Sequence, residues 1–160
     1  MNETRRHPRL SGYDYSRNGA YFVTLCTRDR RCILAHVGRD DLGASLLRLT
    51  EWGVLAAQHL EAIETAYAGV RMLGYVVMPN HVHMLLQIGA GDRGAPGSSR
   101  PTVSQIVGTW KRLCNRKAGQ ALWQTSFYDH IIRDERDCVA HLRYMEENPA
   151  KWLEDPYYKS

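Results

Sequence analysis

Gly74-Tyr75-Val76-Val77-Met78-Pro79-Asn80-His81-Val82-His83-Met84-Leu85-Leu86-Gln87-Ile88 holds two apolar runs rich in Val, Leu, Met and Ile, split by Pro79-Asn80. A Pro-Asn step between two such runs is the punctuation of a tight turn between strands. The reading is a hairpin, Val70 to Met78 and His81 to Ile88, with His81 and His83 opening the second strand. Side chains alternate along a strand, so both imidazoles share one face while Val82 points to the other. At about 3.3 Å per residue they sit roughly 6.6 Å apart, a spacing that suits one shared metal ion. Two histidines at a strand start are equally compatible with no ligand role, and the rest of the chain has to decide.

With 160 residues the chain reads as one domain, 1–160, long enough to bury about 68–70% of its unfolded surface without a disulfide or metal. Its net charge of +4 favours an acidic partner, nucleic acid first. Cys26, Cys32, Cys114 and Cys138 lie far apart with no C-x-x-C pair and no secretory leader ahead of them. The expectation is reduced thiols and a cytoplasmic setting. No apolar run approaches the roughly 20 residues of a membrane span.

Outward from the hairpin, the chain opens on a basic arm over 1–19, where Arg5, Arg6, Arg9 and Arg17 alternate with His7, Tyr13 and Tyr15. Positive charge interleaved with rings suits a segment that tracks a nucleic-acid backbone and stacks on bases. Ala20 to Thr27 is β-branched and aromatic, hence a strand, and Arg28, Arg30 and Arg31 follow it with positive charge for phosphates or for solvent. From Ala44 to Tyr67 the spacing of Leu46, Leu49, Val54, Leu55, Leu60 and Ile63 predicts one core-covering helix, ended by Gly69. Residues 89–101 are rich in Gly, Pro and Ser and read as a flexible loop. Thr102 or Ser104 caps a helix running to Ala118, with Val103, Ile106, Val107, Trp110 and Leu113 inward and Lys111, Arg112, Arg116 and Lys117 on a one-signed outer face.

Trp123 to Arg133 reads as a last, partly irregular strand, and Asp134 with Asp137 starts the final helix in the manner of a capping box. On that helix Tyr144 and Asn148 stack one turn apart, with His141 close by. Pro149 disfavours helical geometry at Asn148, so the helix is expected to stop there, leaving the Asn148 amide oxygen at a helix end.

These residues carry a resemblance. The setting Val77-Met78-Pro79-Asn80-His81-Val82-His83, the opening Gly12-Tyr13-Asp14-Tyr15 with Gly19-Ala20-Tyr21-Phe22-Val23-Thr24, the segment Trp123-Gln124 with Phe127-Tyr128-Asp129-His130-Ile131-Ile132-Arg133, and Tyr144-Met145-Glu146-Glu147-Asn148-Pro149 together resemble the single-tyrosine HUH transposases, most of all the REP-associated tyrosine transposases. The similarity runs over nearly the whole chain in the same order. It implies an α+β fold, a ferredoxin-like antiparallel sheet with helices on one face, in βαββαβ order plus a C-terminal helix carrying the nucleophile. Carried over residue by residue, it makes His81 and His83 metal ligands, Tyr144 the nucleophile and Asn148 the third ligand, where some members of the family carry Gln. Tyr128 is the competitor for nucleophile.

The implied activity is metal-dependent cutting and rejoining of single-stranded DNA beside a hairpin with an adjacent tetranucleotide, through a covalent 5′-phosphotyrosine. A metal, Mg²⁺ or Mn²⁺, offsets charge on the phosphate, and a phenol, mostly protonated at neutral pH, needs a nearby cation or base to attack. His130 and His141 are candidates for assisting proton transfer, or structural histidines. Grip on the DNA falls to the arm, Arg28 to Arg31 and the Lys111 to Lys117 helix. The resemblance further implies a bacterial, nucleoid-associated protein acting as monomer or homodimer. The competing class is a non-catalytic module binding single-stranded nucleic acid, in which Tyr144 and Asn148 would be idle. A small metallohydrolase is a third reading and lacks an evident general base.

Overall fold

The segment from Val70 to Ile88 forms the hairpin its sequence implies. Strands Val70–Met78 and His81–Ile88 pair antiparallel with Met78 opposite His81 across the Pro79-Asn80 turn. The computed structural model describes residues 19–89 and 101–154. Arg5, Arg6, Arg9 and the rest of the arm up to residue 18, the loop from 90 to 100, and residues 155–160 lie outside the described residues.

In chain order the elements are β1 (Gly19–Cys26), a 3-10 turn (Arg28–Arg30), β2 (Ala35–Arg39), β3 (Ser45–Leu49), α1 (Glu51–Glu61), α2 (Ile63–Ala66), β4 (Val70–Met78), β5 (His81–Ile88), α3 (Val103–Ala118), β6 (Tyr128–Ile131) and α4 (Glu135–Glu154). Four strands make an antiparallel sheet in the order β4-β5-β1-β6, and β2 with β3 forms a separate hairpin. The result is a mixed α+β fold.

Period two decides what lies on each face of the sheet. Tyr21, Val23 and Leu25 of β1 and Val82, Met84, Leu86 and Ile88 of β5 join Ala56, Leu60, Ile106 and Trp110 of α1 and α3 in the main core. The intervening residues, Phe22 of β1 and Leu85 of β5, meet Met145 and Leu142 of α4 in a second cluster. The expectation of helices on one face is therefore corrected: α1 and α3 cover one side and α4 the other. β5 is the reason, because every residue in it but Gln87 is buried, and a strand apolar on both sides needs cover on both. Gly74 of β4 admits α4, since a Cβ there would come to 2.9 Å from Leu142 Cδ2.

A single helix over 44–67 is likewise corrected. Residues 45–49 are a strand whose half-buried and exposed residues alternate, with Leu46 and Arg48 outward. Asp40 Oδ1 accepts the N–H groups of Leu42 and Ala44, and Gly43 sits at φ 86°, closing a tight turn back to β2. Helix begins only after Thr50, whose hydroxyl accepts the Gly53 N–H as an N-cap. Gly53 is the point of closest approach of α1 to the chain before β2, because a Cβ there would run into the Leu34 carbonyl. Gly53→Ala, which in an exposed helix gains about 1 kcal/mol, is expected here to lower stability by roughly 1–3 kcal/mol through overpacking. A urea midpoint at or above that of the parent protein would refute this.

Pro149 does not end α4, which continues to Glu154. Trp152, 7% exposed, packs its indole 6.3 Å from the His81 ring, so the last turn is held by burial despite the hydrogen bond that proline forfeits.

Candidate active site

His81 and His83 open β5 on the face toward α4, their rings 4.7 Å apart and steeply inclined at 68°. Asn148 comes down from α4: its Oδ1 lies 3.3 Å from His81 Nε2, while its Nδ2 donates to the Tyr144 carbonyl at 3.0 Å. Asn148 thus sits inside the helix and not at its end, yet its oxygen is turned to the histidines. All three side chains are buried, and His83 Nε2 has no hydrogen-bond partner of ordinary geometry among the described residues. A buried imidazole nitrogen left without a partner, beside a second imidazole and an amide oxygen, is a donor set that fits a divalent ion with further positions open to oxygen ligands.

Both imidazoles are held neutral, the form that metal binding requires of a histidine. Burial drives His81 down to about 4, with the Arg30 charge adding and the Asn148 bond opposing. Burial also pushes His83 well below its ordinary value, helped by His81 and His141 and opposed by Asn148. In the metal-free protein the unfolded chain takes up protons near 6.5 while folded His81 resists until about 4. Stability is therefore full above pH 6.5 and falls as pH drops through the window from 6.5 toward 4. Urea midpoints of the metal-free protein are expected to decline over that window, and to flatten in His81→Gln/His83→Gln. An unchanged slope in the double variant would assign the effect elsewhere.

The far nitrogen of each ring is anchored. His83 Nδ1 lies 2.8 Å from Thr24 Oγ1 and His81 Nδ1 2.8 Å from Asn80 Oδ1. With the proton on Nδ1 each ring donates outward and keeps its Nε2 lone pair for the site. The sequence reading missed Thr24 and treated Asn80 only as a turn residue. The signal for Thr24 lay in the strand register, since Thr24 pairs directly with His83. Thr24→Val keeps the shape and removes the acceptor, so Mn²⁺ affinity is expected to fall roughly 10–100-fold, with Thr24→Ser restoring it. Equal Mn²⁺ titrations for the Val and Ser proteins would remove Thr24 from the site.

Tyr144 lies on α4 one turn before Asn148, 41% exposed, with its ring edge-on to His83 at 5.3 Å and to Phe22 at 6.2 Å. Lys151 Nζ stands 5.7 Å over the same ring. Tyr128 is on the same sheet face but on β6, with β1 between it and β5, so it stands about 9–10 Å from His83 by strand spacing. Tyr144 is in edge contact with a histidine of the pair, and it shares α4 with Asn148. His141 touches Phe22 at 4.6 Å and His130 stacks on His141. Asp137 bonds both, its carboxyl held below the usual range by the Arg133 N–H and the two imidazoles against the effect of desolvation.

The basic residues are distributed unevenly about this site. Arg28, Arg30 and Arg31 are exposed just after β1, the strand beside β5. The turn is held in place because Thr27 N–H donates to the Asn80 carbonyl and Arg28 N–H to that of Leu122. Asp29 and Arg30 both have positive φ, 57° and 54°, a backbone state that costs of order 1 kcal/mol or more each outside glycine. On α3, Arg112, Arg116 and Lys117 are exposed, but Lys111 donates to the carbonyls of Gln124 and Thr125 at 2.8 Å each. That helix lies across the sheet from the histidines, so the structure does not bring its charges to them.

No protein-family model matches the chain. An uncharacterized protein of Haemophilus influenzae is 30% identical over 172 residues, covering 96% of this chain and 93% of its own length. The REP-associated tyrosine transposase of Escherichia coli K12 is 26% identical over 151 residues, 94% of this chain and 74% of its own. A solved structure described as a REP-associated tyrosine transposase bound to a REP hairpin superposes with a TM-score of 0.63 at 24% identity. It covers 94% of this chain and 74% of that one, a likeness of fold. The four cysteines are free, and no helix among the described residues is long and apolar enough to cross a membrane. Matched over nearly its whole length by such relatives, the chain belongs to the REP-associated tyrosine transposase family.

Proposed function

We propose that this chain is a metal-dependent endonuclease and strand transferase acting on single-stranded DNA beside hairpins, with Tyr144 as nucleophile and His81, His83 and Asn148 as metal ligands. The carrying observation is the convergence of two neutral, anchored imidazoles and an amide oxygen beneath a half-exposed phenol, His83 and Tyr144 in edge contact at 5.3 Å. A bound Mg²⁺ or Mn²⁺ would polarise the scissile phosphate and offset charge developing on its oxygens. Tyr144 gives up its phenolic proton to solvent as Oη forms the new bond to phosphorus, the P–O3′ bond breaks, the 3′ oxygen takes up a proton from solvent, and the 5′ phosphate stays on the tyrosine. The linkage is retained, so a 3′ hydroxyl can later attack it and rejoin a strand without ATP. Phe22 and Lys151 hold the phenol's orientation from its edge and its face.

The fold belongs to the same reading as ferredoxin-like: β1-α1-β4 and β5-α3-β6 supply its two βαβ halves, α4 is added behind the sheet, and the β2-β3 hairpin is an insertion. The whole chain, 1–160, acts as one domain. Hairpin DNA is assigned as substrate by analogy with the relative bound to a REP hairpin, and the adjacent tetranucleotide by the family resemblance alone. The basic arm with Arg5, Arg6 and Arg9 grips it, together with Arg28, Arg30 and Arg31 beside the site and Arg112, Arg116 and Lys117 farther away. The setting is the bacterial cytoplasm near the nucleoid, as monomer or homodimer.

The test is incubation with Mn²⁺ and labelled single-stranded hairpin DNA. A denaturation-resistant protein–DNA adduct supports the transferase. Cleavage without an adduct points to a hydrolase, and retention without cleavage to a binding module.

A further inference from the structure

We infer that the chain carries a second cation site, formed by His130, Asp137 and His141, that takes a transition-metal ion of the Zn²⁺ class and fastens the nucleophile helix to the sheet. The inference does not depend on the reading of His81, His83 and Asn148. His130 projects from β6 on the face toward α4, while Asp137 and His141 stand one turn apart in the opening turns of α4. His130 Nε2 lies 2.9 Å from Asp137 Oδ2, and His141 Nδ1 lies 3.1 Å from Asp137 Oδ1 and 2.9 Å from the Asp137 carbonyl oxygen. One potential ligand atom from each residue falls within 4.8 Å of the others.

Two imidazoles and one carboxylate are the donors that Zn²⁺, Co²⁺ and Ni²⁺ prefer, and the metal-to-ligand distances of about 2.0–2.1 Å require ligand atoms near 3.3 Å apart. His130 Nε2 and His141 Nδ1 stand 2.9 and 3.1 Å from the two different carboxylate oxygens of Asp137, so whichever oxygen serves as ligand already has one imidazole at that range. A small separation of the three groups admits the ion, provided each ring carries its proton on the far nitrogen and His141 Nδ1 exchanges its bond to the Asp137 carbonyl for the metal. The side chains are only 19–26% exposed, which leaves room for water at a fourth position.

The site is also held in shape from outside. Asp137 Oδ2 accepts the Arg133 N–H at 2.9 Å and the Asp137 N–H donates to Asp134 Oδ1 at 2.8 Å, fixing the carboxylate within the helix cap. The two imidazoles lie stacked, 4.7 Å between centroids and 21° between planes, and Phe22 flanks His141 at 4.6 Å. Two of the ligands are helical at i and i+4 and the third is on a strand, so an ion there ties β6 to α4 one turn ahead of Tyr144. Phe22, which touches His141, also stacks on His83 at 5.0 Å and meets Tyr144. The clamp therefore holds the helix where its phenol faces the paired histidines.

The test uses the full-length protein, stripped of metal, titrated with Zn²⁺ and with Co²⁺. The parent protein is expected to bind two equivalents and His81→Ala/His83→Ala one. Ring signals of His130 and His141 should shift on Zn²⁺ addition in that double variant, and its melting temperature should rise with Zn²⁺. Adding His130→Gln, which leaves the helix cap untouched, should abolish the remaining equivalent, as should Asp137→Asn. The inference is overturned if the double variant binds no Zn²⁺, if its His130 and His141 signals do not move, or if a remaining equivalent survives His130→Gln. Should parent and double variant bind equally, it is the His81 and His83 assignment that fails.

Discussion

Tyr144→Phe is expected to yield no denaturation-resistant adduct and no cut strand on hairpin DNA with Mn²⁺, while still retarding that DNA in a gel. The substitution removes one oxygen atom and nothing else. A phenylalanine ring can keep the edge contacts with His83 and Phe22 and the cation contact with Lys151, so fold and DNA affinity should be preserved. Loss of a covalent nucleophile costs on the order of 10⁶-fold in rate where other groups cannot replace it. Tyr128→Phe is the control, because Tyr128 stands a strand farther from His83. An adduct of ordinary yield in the Tyr144→Phe protein, or its disappearance in Tyr128→Phe, would sink the assignment. A binding-only protein would show neither adduct in the first place.

How far the site was legible depends on whether its determinants are local. The β4–β5 hairpin was readable to the residue because Pro79-Asn80 punctuates two apolar runs, and α3 because Thr102, one of the two caps offered, accepts the Gln105 N–H at the start of an apolar stripe that runs on to Ala118. The opening of α4 was marked by Asp134, which accepts the Asp137 N–H. The β2–β3 hairpin was misread because Leu46, Leu49 and Val54 also satisfy a helical stripe, and the Asp40 side-chain bonds that close its turn carry no hydrophobic signal. The end of α4 was misread because the local bias at Pro149 is overridden by burial of Trp152, a tertiary effect.

Least legible was everything that depends on strand register and on which sheet face a helix covers. Thr24 lies 59 positions from His83, and nothing within either segment couples them. Their pairing follows from β1 docking beside β5, a choice made by the whole core. The same holds for the basic face of α3, which looks equivalent to Arg28 to Arg31 as charge in sequence and lies on the other side of the sheet from the histidines. Positive charge is thus a poor guide to a site until the faces are known, whereas the two histidines, locked to one face by period two, needed only α4 to cover that face.

That coverage underlies the other large effect. His83→Ala is expected to lose metal-dependent adduct formation by about 10³-fold or more, since several kcal/mol of charge stabilisation on the phosphate go with the metal and each 1.36 kcal/mol is about tenfold. The distinguishing feature is rescue. Thr24→Val weakens a ligand that is still present, so excess Mn²⁺ should restore its adduct yield. His83→Ala removes the donor itself, together with the ring against which Tyr144 rests and on which Phe22 stacks at 5.0 Å. No Mn²⁺ concentration should then recover the parent rate. The fold should survive, because a residue whose buried Nε2 has no hydrogen-bond partner of ordinary geometry among the described residues is a burden to the metal-free protein even though its ring fills space. Were high Mn²⁺ to rescue His83→Ala as fully as Thr24→Val, His83 would be a packing residue and the metal would have to be held elsewhere.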